Sequence, residues 1–482
     1  MKSIPCVLTA IVTGFFCASA ALAEPHTVSP LLAGANLQFN DCGFYYGSLP
    51  ADAPESRRAE FADLMKQIGI GVLRYPGGWF AHEFIPDNDQ AMLEVQQFAL
   101  WPQSDKKVYP DIWRWLDFCM QTNIEPLFQV NTLLYFADGK MYRLTEGASD
   151  RRGAKEATPD PSKRSAAADA LAQLVKKTTQ RGYAVRHWEL GNEEYSGYPA
   201  ADYADVAIQF TNAIRQADPN AIIWITLGDN SLRDPKSDFY KWAQTVLAAC
   251  RDAGLNKDPN VRFTLHYSWR AIVDAADKLV RQYGFQPRFA ITEFHMAGTG
   301  PYWDLSPRFG YALDLAKYLI EMAADPRVEI LCIHDLDSQN FGIIHYNQRS
   351  YGLPGMQTWD ESLGYQLMPS ARTYELFSRT VGGQVIPQAS DPNRLVVEKD
   401  GHRVIFVVNH TVNPMTVEWG PQIVGKGSAK FTRHTITPAD KSKDDPRRVD
   451  QTAEETQQGA IANGRLTVEL PSMSVSAVIC TR

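Results

Sequence analysis

Between residues 34 and 382 of this 482-residue chain, short apolar runs alternate with longer stretches whose apolar residues recur at i, i+3, i+4 and i+7. No other feature constrains the fold as strongly, because the two periods are those of strand and helix. Strands are expected at residues 34–39, 71–75, 126–131, 185–190, 221–227, 262–267, 288–293 and 328–334. Between them, residues 56–68 place Phe61, Leu64, Met65 and Ile68 on one helical face. Residues 166–179 do the same with Ala170, Leu171, Leu174 and Val175, and Ser162 is expected as that helix's cap. Further helices are expected at 201–216, 237–253, 271–283 and 308–323. Eight strands, most followed by a helix, predict an α/β fold, a (β/α)8 TIM barrel. The alternative is a doubly wound sheet, but no glycine-rich phosphate loop follows the first strand. Two long polar connections, 131–163 and 339–369, both follow strands. In a barrel they lie over the C-terminal face, where barrel enzymes keep their chemistry.

After residue 383 the pattern changes. Short runs at 395–398, 404–409, 415–419, 429–437 and 466–470, separated by Gly, Asn, Asp and Pro, predict an antiparallel β-sandwich, with 440–459 as an exposed loop. The expected organisation is thus a barrel over 24–382 and an accessory sandwich over 383–482. Residues 1–23 read as a signal peptide, with Lys2 ahead of an apolar stretch and Ala21-Leu22-Ala23 as the cleavage site. The expected destination is secretion or the periplasm, with no membrane association once that segment is removed. No later stretch reaches the roughly 18 apolar residues of a spanning helix. The net charge of −7, with no long run of one sign, gives no footprint for nucleic acid. Five of the seven cysteines remain after residue 23, Cys42, Cys119, Cys250, Cys332 and Cys480, without zinc spacing. They are expected to be buried and inert, although one bridge among them is an open alternative.

Chemistry is expected at two strand ends. In His187-Trp188-Glu189-Leu190-Gly191-Asn192-Glu193-Glu194 an apolar strand runs into an Asn-Glu pair. In Phe289-Ala290-Ile291-Thr292-Glu293-Phe294-His295 another ends in a carboxylate. Buried carboxylates are rare unless they are paired or functional. Three βα units apart, Glu193 and Glu293 can face each other across the top of a closed barrel. Two carboxylates so placed suit glycoside hydrolysis, one donating a proton to the leaving oxygen while the other attacks the anomeric carbon.

Leu190-Gly191-Asn192-Glu193, Thr292-Glu293-Phe294 and Leu73-Arg74-Tyr75-Pro76-Gly77-Gly78 give the chain its resemblance to the clan A retaining glycoside hydrolases. Within that clan it resembles the α-L-arabinofuranosidases and the heparanase-like β-glucuronidases. The resemblance implies Glu193 as acid/base, Glu293 as nucleophile, Asn192 on the sugar 2-hydroxyl and Arg74 supporting the ionised nucleophile. Asn131 at the end of the third strand is expected either as a sugar contact or as a loop cap. Tyr267 or His266 is expected to touch the nucleophile, although the clan often places the Tyr two residues after the His rather than one. The eighth strand, Ile330 to Asp335, lacks the Trp that many members use as a sugar platform. Trp79, Phe80, Tyr45 and Tyr46 are expected in top-face loops, where they stack on sugars or cover the core. Arg270, Arg151 and Arg152 are available to a uronic acid.

Each role has a structural counterpart. Glu189 is expected to neutralise an internal Arg, Arg74 to sit in a barrel ion pair, and Glu194 to replace Glu193 if the register slips by one. The implied function is an exported glycosidase acting on a plant or microbial oligosaccharide or polysaccharide, without a cofactor. Two alternatives stand beside it. One is a metal-dependent barrel hydrolase using His266, Glu293, His295 and His334. The other is a carbohydrate-binding protein without turnover.

Overall fold

The computed structural model describes residues 25–37, 55–78, 81, 112–137, 140–143, 161–295, 308–334, 336, 342–346, 348–349, 358–359, 364–441 and 451–482. Eight parallel strands close into a barrel: β1 Gly34–Asn36, β2 Val72–Tyr75, β3 Glu125–Val130, β4 His187–Leu190, β5 Ile222–Gly228, β6 Val261–His266, β7 Phe289–Phe294 and β8 Val328–Ile333. Each pairs with its neighbours in sequence, and β1 closes on β8 with Gly34 opposite Cys332. The helices that follow them are α1 Glu55–Ile68, α2 Ile112–Thr122, α3 Pro161–Gln180, α4 Ala200–Ala217, α5 Asp238–Asp252, α6 Arg270–Gln282, α7 Phe309–Ala323 and α8 Pro369–Ser378.

The strands agree with the expected runs to within a residue or two over the described positions. The helix α3 begins at Pro161, so Ser162 lies inside its first turn instead of capping it. Proline's fixed φ and missing N–H suit the first helical position. In α5, by contrast, the Ser237 hydroxyl does cap, accepting from the Tyr240 N–H at 3.0 Å. Two helices, α2 and α8, carry no expectation from sequence.

Inside the barrel the side chains form layers. Val72, Leu127, Trp224, Ala290, Ile330 and Cys332 make an apolar layer. Above it, toward the C-terminal ends of the strands, Asn36, Arg74, Gln129, Glu189, Thr264, His266 and Thr292 are all buried. Alternate strand residues share a face, so a polar residue two positions beyond an inward apolar one points into the same interior. This polar layer is the floor of the site.

The C-terminal strands are β9 Gln384–Val385, β10 Arg394–Lys399, β11 His402–Asn409, β12 Met415–Trp419, β13 Lys430–Pro438, β14 Thr452–Ala460, β15 Leu466–Leu470 and β16 Ser474–Thr481. Six form one antiparallel sheet in the order β9-β10-β11-β16-β13-β14, and β12 pairs with β15. One face of the large sheet packs on the barrel, with Phe406 against Phe377 of α8. The other face, with Val396, Ile405 and Val478, meets Trp419, Leu466 and Val468 in a second core. The expected loop at 440–459 is corrected over its second half: Thr452–Ala460 is a strand paired along its whole length with Lys430–Pro438. Its side chains are nearly all exposed, so an edge strand here carries no apolar alternation.

Cys119, Cys250, Cys332 and Cys480 are free and buried, and burial raises all four thiol pKa values. Cys42 lies outside the described residues. Among the described residues no helix is long and apolar enough to cross a membrane.

Candidate active site

The chain leaves β4 through Gly191, at φ 87°, and Glu193 itself stands in the left-handed region at φ 55°. Tyr267, the residue after β6, does the same at φ 45°. Non-glycine residues enter this region rarely, at a cost of order 1–3 kcal/mol, and such strain concentrates at functional sites. A Cβ on Gly191 would lie 1.8 Å from Glu194 Oε1. The Glu194 carboxylate folds into that space, accepting from the Asn192 N–H at 2.8 Å and from the Thr132 hydroxyl at 2.6 Å. Glu194 therefore closes the turn, and Glu193 is the carboxylate presented to the barrel mouth, 8% exposed.

Glu293 enters from β7, 5% exposed. The Tyr267 hydroxyl donates to its Oε1 at 2.6 Å, and His334 Nδ1 lies 3.3 Å from the same oxygen. Its Oε2 is 3.4 Å from Arg74 Nη1 and 3.7 Å from His266 Nδ1. Burial alone raises this carboxyl's pKa, but His334, His266, Arg74 and the Tyr267 hydrogen bond together outweigh it and bring it down to about 2. Glu293 is an anion at any physiological pH.

Arg74 organises the floor, fully buried, with all five donors used. Its Nε and Nη2 grip Glu189 at 2.5 and 3.0 Å, Nη2 also reaches Asn192 Oδ1 at 2.9 Å, and Nη1 serves Asn36 at 2.8 Å and Glu293. Burial pushes Glu189 up, yet Arg74 and His266 hold its pKa below the usual carboxylate range. Asn192 Oδ1 accepts a second bond from Gln129 Nε2 at 2.9 Å. With its oxygen engaged twice, the Asn192 amide group turns its NH2 the other way, as a donor.

His266 Nδ1 lies 3.2 Å from Glu193 Oε1 and Nε2 lies 3.2 Å from the Thr292 hydroxyl. Burial disfavours its charge, while Glu293, Glu189 and Glu193 favour it and push its pKa up to about 9. One imidazole nitrogen thus faces both glutamates, whose facing oxygens are no farther apart than the sum of its two distances, about 6.9 Å.

The residues singled out by sequence fall as follows. Glu193, Glu293, Asn192, Arg74, His266 and Tyr267 converge on one cluster. Asn131 is buried, and its Oδ1 accepts from the Leu133 N–H at 2.8 Å as a turn cap. Trp79, Phe80, Tyr45, Tyr46, Arg151 and Arg152 lie outside the described residues. Arg270 Nε lies 3.5 Å from Asp325 Oδ2. Sequence reasoning passed over Tyr195, whose hydroxyl donates to Glu193 Oε1 at 3.0 Å, and over Gln129, Asn36 and the Thr292 hydroxyl. Gln129 and Asn36 do leave a signal, as polar residues near the C-terminal ends of apolar strands. No group of three or more His, Cys, Asp or Glu among the described residues is arranged to hold a metal ion.

No family model matches the chain. Over 218 residues, 43% of its length, it is 22% identical to a probable α-L-arabinofuranosidase C of Aspergillus fumigatus. The match covers 39% of that protein, so the chain spans about two-fifths of the length of the curated relatives it matches. A family 51 arabinofuranosidase from Xanthomonas axonopodis superposes with a TM-score of 0.65 at 15% identity, covering 95% of this chain and 98% of that one. A family 44 xyloglucanase from Paenibacillus polymyxa gives 0.60 at 11% identity, covering 95% and 98%. At such identities, what these likenesses establish for this chain is its fold, a (β/α)8 barrel carrying a C-terminal β-sandwich.

Proposed function

We propose that this chain is an exported retaining glycoside hydrolase and that its substrate presents α-L-arabinofuranosyl groups. The observation that carries the reading is the imidazole nitrogen shared by Glu193 and Glu293. It keeps their facing oxygens within about 6.9 Å of each other, a bound that accommodates the roughly 5–5.5 Å of a retaining pair. Glu293 is the nucleophile: its depressed pKa suits a group that must attack as an anion. Its oxygen forms the bond to the anomeric carbon while the bond to the leaving oxygen breaks, and Glu193 gives that oxygen a proton. Water then attacks the glycosyl ester, Glu193 takes the water proton, and Glu293 departs as carboxylate. The Asn192 NH2, turned outward by the two donors on its oxygen, is positioned for the sugar 2-hydroxyl. The arabinofuranosyl assignment is supported by the fungal relatives and the Xanthomonas enzyme, both named as arabinofuranosidases.

The test is a panel of aryl glycosides, α-L-arabinofuranoside beside β-D-xyloside, β-D-glucuronide, β-D-galactofuranoside and β-D-glucoside. Turnover of the arabinofuranoside with retained configuration is expected. Glu293→Gln should lose activity by at least 10³-fold, in line with loss of the nucleophile. A fluorinated slow substrate should label Glu293 covalently. Inverted product, or label on any other residue, refutes the mechanism. Turnover confined to another sugar refutes the substrate alone.

A further inference from the structure

The hydrogen-bond directions around His266 can be worked out atom by atom. Both oxygens of Glu189 accept from Arg74, so that carboxylate is an acceptor only. The Thr292 hydroxyl has one proton, and at 2.7 Å it gives that proton to Glu189 Oε1. Only lone pairs remain for His266 Nε2, 3.2 Å away, so Nε2 is an N–H donor. The nitrogen that titrates is then Nδ1, the one facing Glu193 and Glu293.

We propose that Glu193 and His266 hold the general acid's proton between them, and that Glu189, acting through Thr292, is the positioning residue that makes Nδ1 the atom sharing it. This deepens the reading of Glu193 as acid/base and rests on it. In the empty site the proton sits on Nδ1. The Tyr195 hydroxyl already donates to Glu193 Oε1, and Glu293 Oε2 adds a second negative charge within 3.7 Å of the same nitrogen. In the first step the Nδ1–H bond breaks, an O–H bond forms on Glu193, and that proton passes to the leaving oxygen, which leaves the ring neutral with Nε2–H. In the second step the proton taken from water by Glu193 returns to Nδ1.

The charges that face the ring come from several strands. Glu189 and Glu193 flank it from β4 and the turn beyond, and Glu293 from β7. Arg74 of β2 binds Glu189 and Glu293, Tyr267 stands beside the ring at 6.2 Å between centroids, and His334 lies on the far oxygen of Glu293. The carboxylates outnumber the fixed cation, in agreement with a ring that stays protonated until about pH 9.

Thr292→Val is nearly isosteric and removes both the acceptor for His266 Nε2 and the donor to Glu189, whereas Thr292→Ser keeps both. Ring nitrogen-15 shifts of His266 in the full-length protein, assigned with His266→Asn, should show Nε2–H throughout and Nδ1 losing its proton near pH 9. The alkaline limb of kcat/KM should follow the same midpoint. In Thr292→Val both should fall by about one pH unit or more, the effect of losing a hydrogen bond to a charged group, and Thr292→Ser should restore both. Glu193→Gln should also lower the ring's midpoint, a readout that needs no activity and so separates this proposal from the glycosidase reading. A neutral ring at pH 7, a midpoint unmoved by Thr292→Val, or one unmoved by Glu193→Gln overturns it.

Discussion

Gly191 is the residue on which the site most depends without touching a substrate. Its φ of 87° and the Glu194 carboxylate lodged where a Cβ would stand leave room for no other side chain. Gly191→Ala should cost about 1–2 kcal/mol for the left-handed backbone alone. It should also displace the Asn192-Glu193 turn, and misplacement by about 1 Å can cost on the order of 10²-fold in rate. Calorimetry and kcat on the folded variant check both, and full activity would show that the turn does not position Glu193. The strand-end carboxylates and Asn192 were legible in the sequence because polar groups ending apolar runs stand out, and Arg74 through the resemblance carried by Leu73 to Gly78. The parts played by Tyr195, Gln129 and Thr292 were not. Gln129 and Thr292 act through partners on other strands, as Thr292 does with Glu189, 103 positions apart, and no periodicity encodes such contacts. Tyr195 reaches Glu193 only two positions away, through a turn whose path the strand pattern does not reveal.

At the scale of elements, the barrel strands were legible because each is a mostly apolar run buried on both faces, whereas β16, also largely buried, carried no expectation. The edge strand β14 was not legible, since nearly every side chain on it meets water. The helices α2 and α8 escaped for a different reason. They are short and follow long connections, so their polar stripes, such as Asp117 and Gln121 in α2 or Arg372 and Glu375 in α8, span too few turns to stand out. The large C-terminal sheet buries two faces, and Phe406, with none of its surface exposed, carries one of them onto α8. Phe406→Ala should cost about 3–5 kcal/mol of stability. Activity per folded molecule should be unchanged, because the contact lies away from Glu193 and Glu293. Denaturant melts combined with active-site titration test this, and a loss below about 1 kcal/mol would mean the interface is not close-packed.

At the scale of the whole molecule, the segment from His26 to Ala33 joins the two halves. Val28 exchanges backbone hydrogen bonds with Gly382 and Gly383, and Thr27 bridges Gln384. Leu31 then packs against the apolar layer of the barrel interior, and the Ala33 carbonyl accepts from Gly71. The proposed cleavage after Ala23 would release this segment two residues before His26. The mass of protein recovered from the periplasm or medium should place Glu24 first, and an intact Met1 on that exported protein would refute the processing.

The sheet order also bears on how the chain comes off the ribosome. The strand β16 lies in the middle of the large sheet, between β11 and β13, although it is the last of the sheet's strands to be synthesised. Until residue 481 has emerged, the earlier strands β10 and β11 wait with an open edge and an apolar face turned to water, a state prone to stray pairing. This half of the molecule therefore completes its fold only after translation has passed its final strand, and a premature stop anywhere before residue 474 leaves two half-sheets where one should be.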